Sequence, residues 1–231
     1  MRLLLIRHGQ TPANVAGALD TAIPGLGLTG LGRAQAAAVP DALTDERLDS
    51  VHATRLVRTQ LTAGPLAAAR GLPVEVAPGL EEVSAGSLEM RSDPDAVAGY
   101  VECLAAWMAG DLDRAMPGGP DGHAFWSRYD GAITAIADRH QPDQTAAVFS
   151  HGAAIRVFTT IATRMPLERA HELGIANTGM AALEGDRGSG WRLQRWYGDP
   201  LGGTALLDTA AADVTGDSAD DAEDQAGSAS A

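Results

Sequence analysis

Five short apolar runs, Leu3 to Ile6, Ser50 to Ala53, Val74 to Ala77, Ala146 to Phe149 and Met180 to Leu183, punctuate the chain, with longer Ala- and Leu-rich stretches between them. Runs this short suit strands buried on both faces, and the stretches between suit helices. Helices are expected over roughly Thr29 to Leu43, Arg55 to Arg70, Ala96 to Ala109, Gly122 to His140 and Ala153 to Arg164. Strands joined by helical crossovers pair in parallel, so the rhythm specifies an α/β chain: a three-layer α/β/α sandwich around a mostly parallel, doubly wound sheet.

Two segments depart from the rhythm. Ser84 to Pro120 is rich in Asp, Pro and Gly and is expected to be a lid or insertion over one edge of the sheet. From Asp208 to Ala231 the composition turns to Ala, Asp, Ser, Gly and Thr, with seven acids and no base, which reads as an acidic, disordered tail. The folded domain is therefore placed at residues 1–207.

The formal net charge of −13 makes a poor surface for displacing counterions from nucleic acid, so no nucleic-acid partner is expected. All 17 basic residues are arginine, which removes lysine Schiff-base chemistry and the lysine-bearing P-loop. The single Cys103 cannot form an internal disulfide and fits a reducing, cytoplasmic setting. Met1 to Ile6 is too short for a signal-peptide core or a membrane span and reads as the first strand, so no membrane partner is expected. No reading of the oligomeric state follows from the sequence.

In an open α/β sheet, ligand-contacting residues collect beyond the carboxyl ends of the strands. His8 follows the first run within Arg7-His8-Gly9-Gln10-Thr11, and His151 follows the fourth within Ser150-His151-Gly152. Each histidine precedes a glycine, which permits a sharp turn and close approach of backbone N–H groups to an anion. Arg7 adjoins His8, and Arg58 lies at the start of the helix after the second run. Guanidinium groups beside two imidazoles call for an anionic partner, and on these residues alone phosphate and carboxylate serve equally.

Taken in order, Arg7-His8-Gly9-Gln10-Thr11, Asn14, Leu28-Thr29 with Gly32 and Gln35, Arg58 with Thr62-Ala63, Leu80-Glu81-Glu82 with Gly86, and Ser150-His151-Gly152 resemble the histidine phosphatase superfamily. The likeness runs from Met1 to about Asn177 and is to the branch that includes cofactor-dependent phosphoglycerate mutases. It implies a phosphoglycerate mutase-like fold and a hydrolase acting on small-molecule phosphomonoesters without metal or other cofactor. It further implies that His8 becomes a phosphohistidine, that Arg7, Arg58, His151, Asn14 and Gly152 hold the phosphoryl group, and that Glu82 is the proton donor, with Glu81 its nearest rival. A neutral histidine, with a free pKa of about 6.5, is nucleophilic at cellular pH, and an alkoxide leaving group needs a proton.

Three departures bear on the reaction. The mutases carry Glu-Arg-His-Tyr-Gly where this chain has Glu82-Val83-Ser84-Ala85-Gly86. The family's Gly-Gly-Glu-Ser is Gly118-Gly119-Pro120-Asp121, and an arginine often found four residues after the asparagine is Ala18. These favour hydrolysis over a phosphoglycerate mutase, and the intact nucleophile and acid argue against a catalytically idle phospho-ligand-binding module. Met90, Arg91, Trp107, Met108, Arg114 and Trp126 are candidates to line a substrate pocket, although apolar residues at helical spacing also build cores.

Other motifs fail on context. Gly25-Leu26-Gly27-Leu28-Thr29-Gly30 follows no apolar strand and is no dinucleotide site. His52, His123, His140 and His171 lack zinc-ligand spacing, and Ser84 and Ser150 lack the flanking glycines of a nucleophile elbow.

Overall fold

The structure is a computed structural model that describes residues 1–210 and 213–216. Among the described residues six strands form one sheet: β1 (Arg2–Arg7), β2 (Ser50–Ala53), β3 (Val74–Val76), β4 (Thr145–Ser150), β5 (Met180–Asp186) and β6 (Gly190–Tyr197), in the order β3-β2-β4-β1-β5-β6. The pairs β3/β2, β2/β4 and β4/β1 are parallel, while β5 and β6 run antiparallel. The helices are α1 (Pro12–Val15), α2 (Gly30–Ala42), α3 (Val57–Arg70), α4 (Pro94–Met108), α5 (Gly122–Ala137), α6 (Gly152–Thr163) and α7 (Leu167–His171). None of them is long and apolar enough to cross a membrane.

β1 explains the three layers. Successive side chains of a strand point to opposite faces. Leu3 and Leu5 enter one core with Tyr100, Trp107, Phe125, Ile155 and Phe158 from α4, α5 and α6, while Leu4 and Ile6 enter the other with Val39 of α2 and Leu66 of α3. All four β1 residues are fully buried, so a continuous apolar run is what this position requires.

The anticipated strands and helices lie where their periodicity placed them, within a few residues. The antiparallel edge strand β6 has no counterpart in that reading. It sets the buried Trp191 and half-buried Leu193 between exposed residues and joins β5 through a turn closed by the Asp186 carboxylate, which accepts from the Gly188 and Ser189 amides. Much of Ser84–Pro120 is α4, which buries Tyr100, Cys103, Leu104 and Trp107 in the core it shares with α6. For the expected disordered tail, residues 211–212 and 217–231 lie outside the described residues. In the described part the expectation is corrected: Asp208, Asp213 and Thr215 all bond to the domain, because their acceptor oxygens meet buried side-chain donors there.

At the opposite end of β2 from the strand tip, the Ser50 hydroxyl lies 2.8 Å from His52 Nε2 and 2.7 Å from His140 Nε2, whose Nδ1 faces the Ile136 carbonyl at 2.7 Å. That carbonyl can only accept, so the neutral network runs in one direction: His52 donates to Ser50, Ser50 to His140, and His140 to Ile136. Burial lowers the His52 pKa to about 4, against an unfolded value of about 6.5. The unfolded chain therefore binds the extra proton first, and stability present above about pH 6.5 is lost as pH falls toward 4, by on the order of 1.4 kcal/mol per pH unit for one imidazole. Urea unfolding between pH 7 and 4 is expected to show this slope and His52→Asn to lessen it by about one proton; an unaltered slope would refute the assignment.

Candidate active site

The site is assembled at the carboxyl ends of β1 and β4, which pair in parallel with Arg7 opposite Ser150. The His8 amide donates to the Ser150 carbonyl at 3.0 Å, so the residues that follow the two strands are neighbours although well over a hundred positions separate them. The rings of His8 and His151 meet edge to face, with centroids 5.3 Å apart.

The loop carrying His8 is held by the helices around it. The Gly9 amide donates to the Thr62 hydroxyl at 2.9 Å, and the Gln10 amide to the Gln35 side-chain carbonyl at 2.8 Å. A side chain at Gly9 would meet the Gly32 carbonyl at 2.6 Å, and one at Gly32 would strike the Gln10 backbone in turn. Gly9, Gly32, Gln35 and Thr62 thus share one task, which is to dock the His8 loop against the start of α2 and α3. Thr11 caps α1 through a reciprocal pair with Asn14.

Electrostatics set the protonation states. His8 Nδ1 lies 2.8 Å from the Gly9 carbonyl, an acceptor only, so the neutral ring keeps its proton on Nδ1 and the lone pair on Nε2. Burial, followed by the positive charge of Arg58 and Arg7, holds the His8 pKa well below 6.5. His151 is depressed in the same direction by burial and then by Arg58, and its Nε2 lies 3.1 Å from the Thr54 hydroxyl. Arg58 is buried and donates to the Asp20 carbonyl at 2.9 Å, with its other amino group 3.4 Å from the Asp20 carboxylate.

Glu82 is buried over the N-terminus of α6. Its carboxylate accepts from the Ala154 and Val83 amides at 2.8 Å each and from the Ala153 amide at 3.3 Å. Burial raises its pKa, and this prevails over the opposing pull of those amides and of Arg58 and Arg7. The neighbouring Glu81 goes the other way: burial pushes its carboxyl up, but the bonds from Arg55 at 2.7 Å and from the Gly79 amide at 2.8 Å prevail and hold it below the ordinary range, with Arg128 3.4 Å away. Adjacent carboxyl groups are thereby split into a proton-holding group and a fixed anion.

His8, Arg58, Glu82 and Asn14 line one small cavity together with Thr11, Ala13, Ala18, Asp20 and Thr215. His151 stands beside His8, and Gly152 opens α6, where any side chain would strike the Thr215 carbonyl. Arg7 is buried, and its two amino groups reach Asp213, Thr215 and the Ile175 carbonyl. Asp20, Asp213 and Thr215 were not anticipated. Asp20 stands in no motif, and the other two lie in a segment whose composition reads as solvated. Among the described residues no cluster of His, Cys, Asp or Glu is arranged to hold a metal ion.

A second pocket of about 320 Å³ adjoins the first and shares Glu82 with it. Ile23, Trp107 and Phe125 form its apolar walls, and Arg55 and Arg128 flank it, both paired with Glu81. Of the six candidate pocket residues only Trp107 lines it. Arg91 and Arg114 pair with Asp93 and Glu102, Met90 is exposed, and Met108 and Trp126 pack on the core.

Comparison with known proteins agrees with this geometry. A family profile described as histidine phosphatase superfamily (branch 1) matches residues 3–199. The adenosylcobalamin/alpha-ribazole phosphatase of Escherichia coli (strain K12) is 34% identical over 169 residues, 73% of this chain and 82% of that protein. The PE-PGRS family protein PE_PGRS11 of Mycobacterium tuberculosis is 34% identical over 224 residues, which span 90% of this chain and 38% of that much longer protein. Among solved structures, a mycobacterial glucosyl-3-phosphoglycerate phosphatase complexed with VO3 superposes with a TM-score of 0.73 at 26% identity, covering 86% of this chain and 99% of its own. With the two strand-end histidines side by side and the profile spanning almost the whole domain, the chain belongs to the histidine phosphatase superfamily, as one of its phosphatases.

Proposed function

We propose that the chain hydrolyses small-molecule phosphomonoesters in two steps through His8 and Glu82. The observation that carries this reading is that Glu82, a buried carboxyl with a raised pKa, lines both the His8 cavity and the larger pocket. A phosphoryl group beside His8 then has its ester oxygen next to a proton donor and its alcohol portion in the second pocket.

In the first step His8 Nε2 bonds to phosphorus while the ester P–O bond breaks, and the leaving oxygen takes the Glu82 proton. In the second, the Glu82 carboxylate takes a proton from water as the water oxygen attacks phosphorus and the bond from phosphorus to His8 Nε2 breaks, releasing inorganic phosphate and restoring both side chains. Arg7, Arg58, His151, Asn14 and the Gly152 amide hold the phosphoryl oxygens, and preorganised donors of this kind are commonly worth about 3 kcal/mol each. Glu81 offsets one of the two positive charges of Arg55 and Arg128, and Ile23, Trp107 and Phe125 give the second pocket apolar walls, so esters of apolar or aromatic alcohols are expected among its substrates.

Mixing enzyme with an aryl phosphate in EDTA is expected to release phosphate without a bisphosphate primer, and acid-free quenching to trap a base-stable, acid-labile phosphoenzyme whose label maps to His8. Turnover with label elsewhere, or with none, would refute the His8 assignment.

A further inference from the structure

Two groups assigned to the phosphoryl oxygens, Arg7 and Asn14, are held by one carboxylate from the C-terminal segment. The Arg7 fork grips Asp213 at 2.6 Å through each amino nitrogen. The Asn14 amide donates to the same carboxylate at 2.9 Å. The remaining directions of the Arg7 amino groups go to the Thr215 hydroxyl at 2.9 Å and the Ile175 carbonyl at 2.8 Å. Arg–carboxylate and Arg–phosphate forks share one planar, bidentate geometry, so a carboxylate seated here is a stand-in for phosphate.

The rest of the segment is shaped to its place. Val214 is buried in the core that contains α6, and the Ile175 amide donates to the Gly216 carbonyl at 2.7 Å. A side chain at Gly216 would collide with the Arg7 guanidinium, so this position admits only glycine while the segment is docked. With Thr215 forming one wall, the His8 cavity measures about 10 Å³, room for one water and not for a tetrahedral phosphoryl group.

We infer that Asp213–Gly216 is an autoinhibitory plug, a phosphate-mimicking segment that substrate must displace before Arg7 and Asn14 can engage the phosphoryl group. This rests on the phosphatase reading of the His8 site above. The docked state competes with ligand, so apparent affinity falls by the fraction of molecules that are undocked; a docked population of about nine-tenths weakens binding about tenfold.

The test uses full-length protein and orthovanadate, with wild type compared against Asp213→Asn, which weakens the fork, and Gly216→Ala, which expels the segment while keeping the Asp213 side chain chemically unchanged. Calorimetric titration is expected to show vanadate bound at least about tenfold more tightly by both variants. Aryl phosphate kinetics should show a matching fall in KM with kcat little changed. In wild type, saturating vanadate should speed hydrogen exchange at the Ile175 amide by freeing its Gly216 partner. Equal or weaker vanadate binding by the variants, or undiminished Ile175 protection, would overturn the plug and make Asp213 a positioning residue for Arg7. Absence of both turnover and vanadate binding in all three proteins would instead bring down the phosphatase reading, and the plug with it.

Discussion

His8→Ala is expected to fold as wild type does and to lose turnover of every phosphomonoester by on the order of 10⁴-fold or more, with no phosphoenzyme trapped. The magnitude follows from the nature of the role: without Nε2 there is no covalent route, and water must attack a phosphoryl group whose surroundings are built for an in-line imidazole. Stability should not suffer, since the neutral ring is desolvated beside Arg58 and Arg7 and contributes one bond, to the Gly9 carbonyl. Matched thermal melts beside steady-state rates separate the two effects. A variant that melts normally and keeps more than about one part in a hundred of the rate would remove His8 from the mechanism.

Glu82→Gln should lower kcat/KM for alkyl phosphates by about 10²- to 10⁴-fold, the usual contribution of a positioned general acid, and far less for nitrophenyl phosphate, whose leaving group needs no proton. The pH profile sharpens the test. His8 must be neutral, and its depressed pKa puts the acid limb well below 6.5; Glu82 must be protonated, and its raised pKa puts the alkaline limb above the ordinary carboxyl range. Wild-type kcat/KM for alkyl esters should therefore fall as pH rises through the Glu82 value, and in Glu82→Gln that limb should vanish. Comparison at equal pH cancels ionisation of the substrate. Equal losses for alkyl and nitrophenyl esters would make Glu82 a structural residue, and Glu81, already fixed by Arg55 and Arg128, could not take over.

Much of the fold was legible because burial on both faces leaves its mark on a strand: Leu3 to Ile6 and Ala146 to Phe149 are apolar at every position, and a helix fills each gap between parallel strands. β6 escaped because an antiparallel edge strand with one solvated face alternates polar and apolar residues and carries no such run. Within Ser84–Pro120, Asp93 and Pro94 read as loop formers, yet they cap α4, whose Tyr100 and Trp107 enter the core.

At the site, local sequence specified which groups stand at strand ends. Arg7, His8 and His151 follow directly from where an apolar run stops, because an open α/β sheet exposes its carboxyl edge. Whether those groups meet, and what else meets them, was decided by the packed structure. Only the Arg7–Ser150 register makes His8 and His151 neighbours, only the burial of Glu82 and the Arg55 bond to Glu81 divide the two carboxyl groups, and only the folded surface draws Asp213, remote in sequence and acidic like its surroundings, onto the Arg7 fork. Proximity between distant residues, and the desolvation that sets their charge, belong to the closed packing of the chain and leave no periodicity in any one stretch of it.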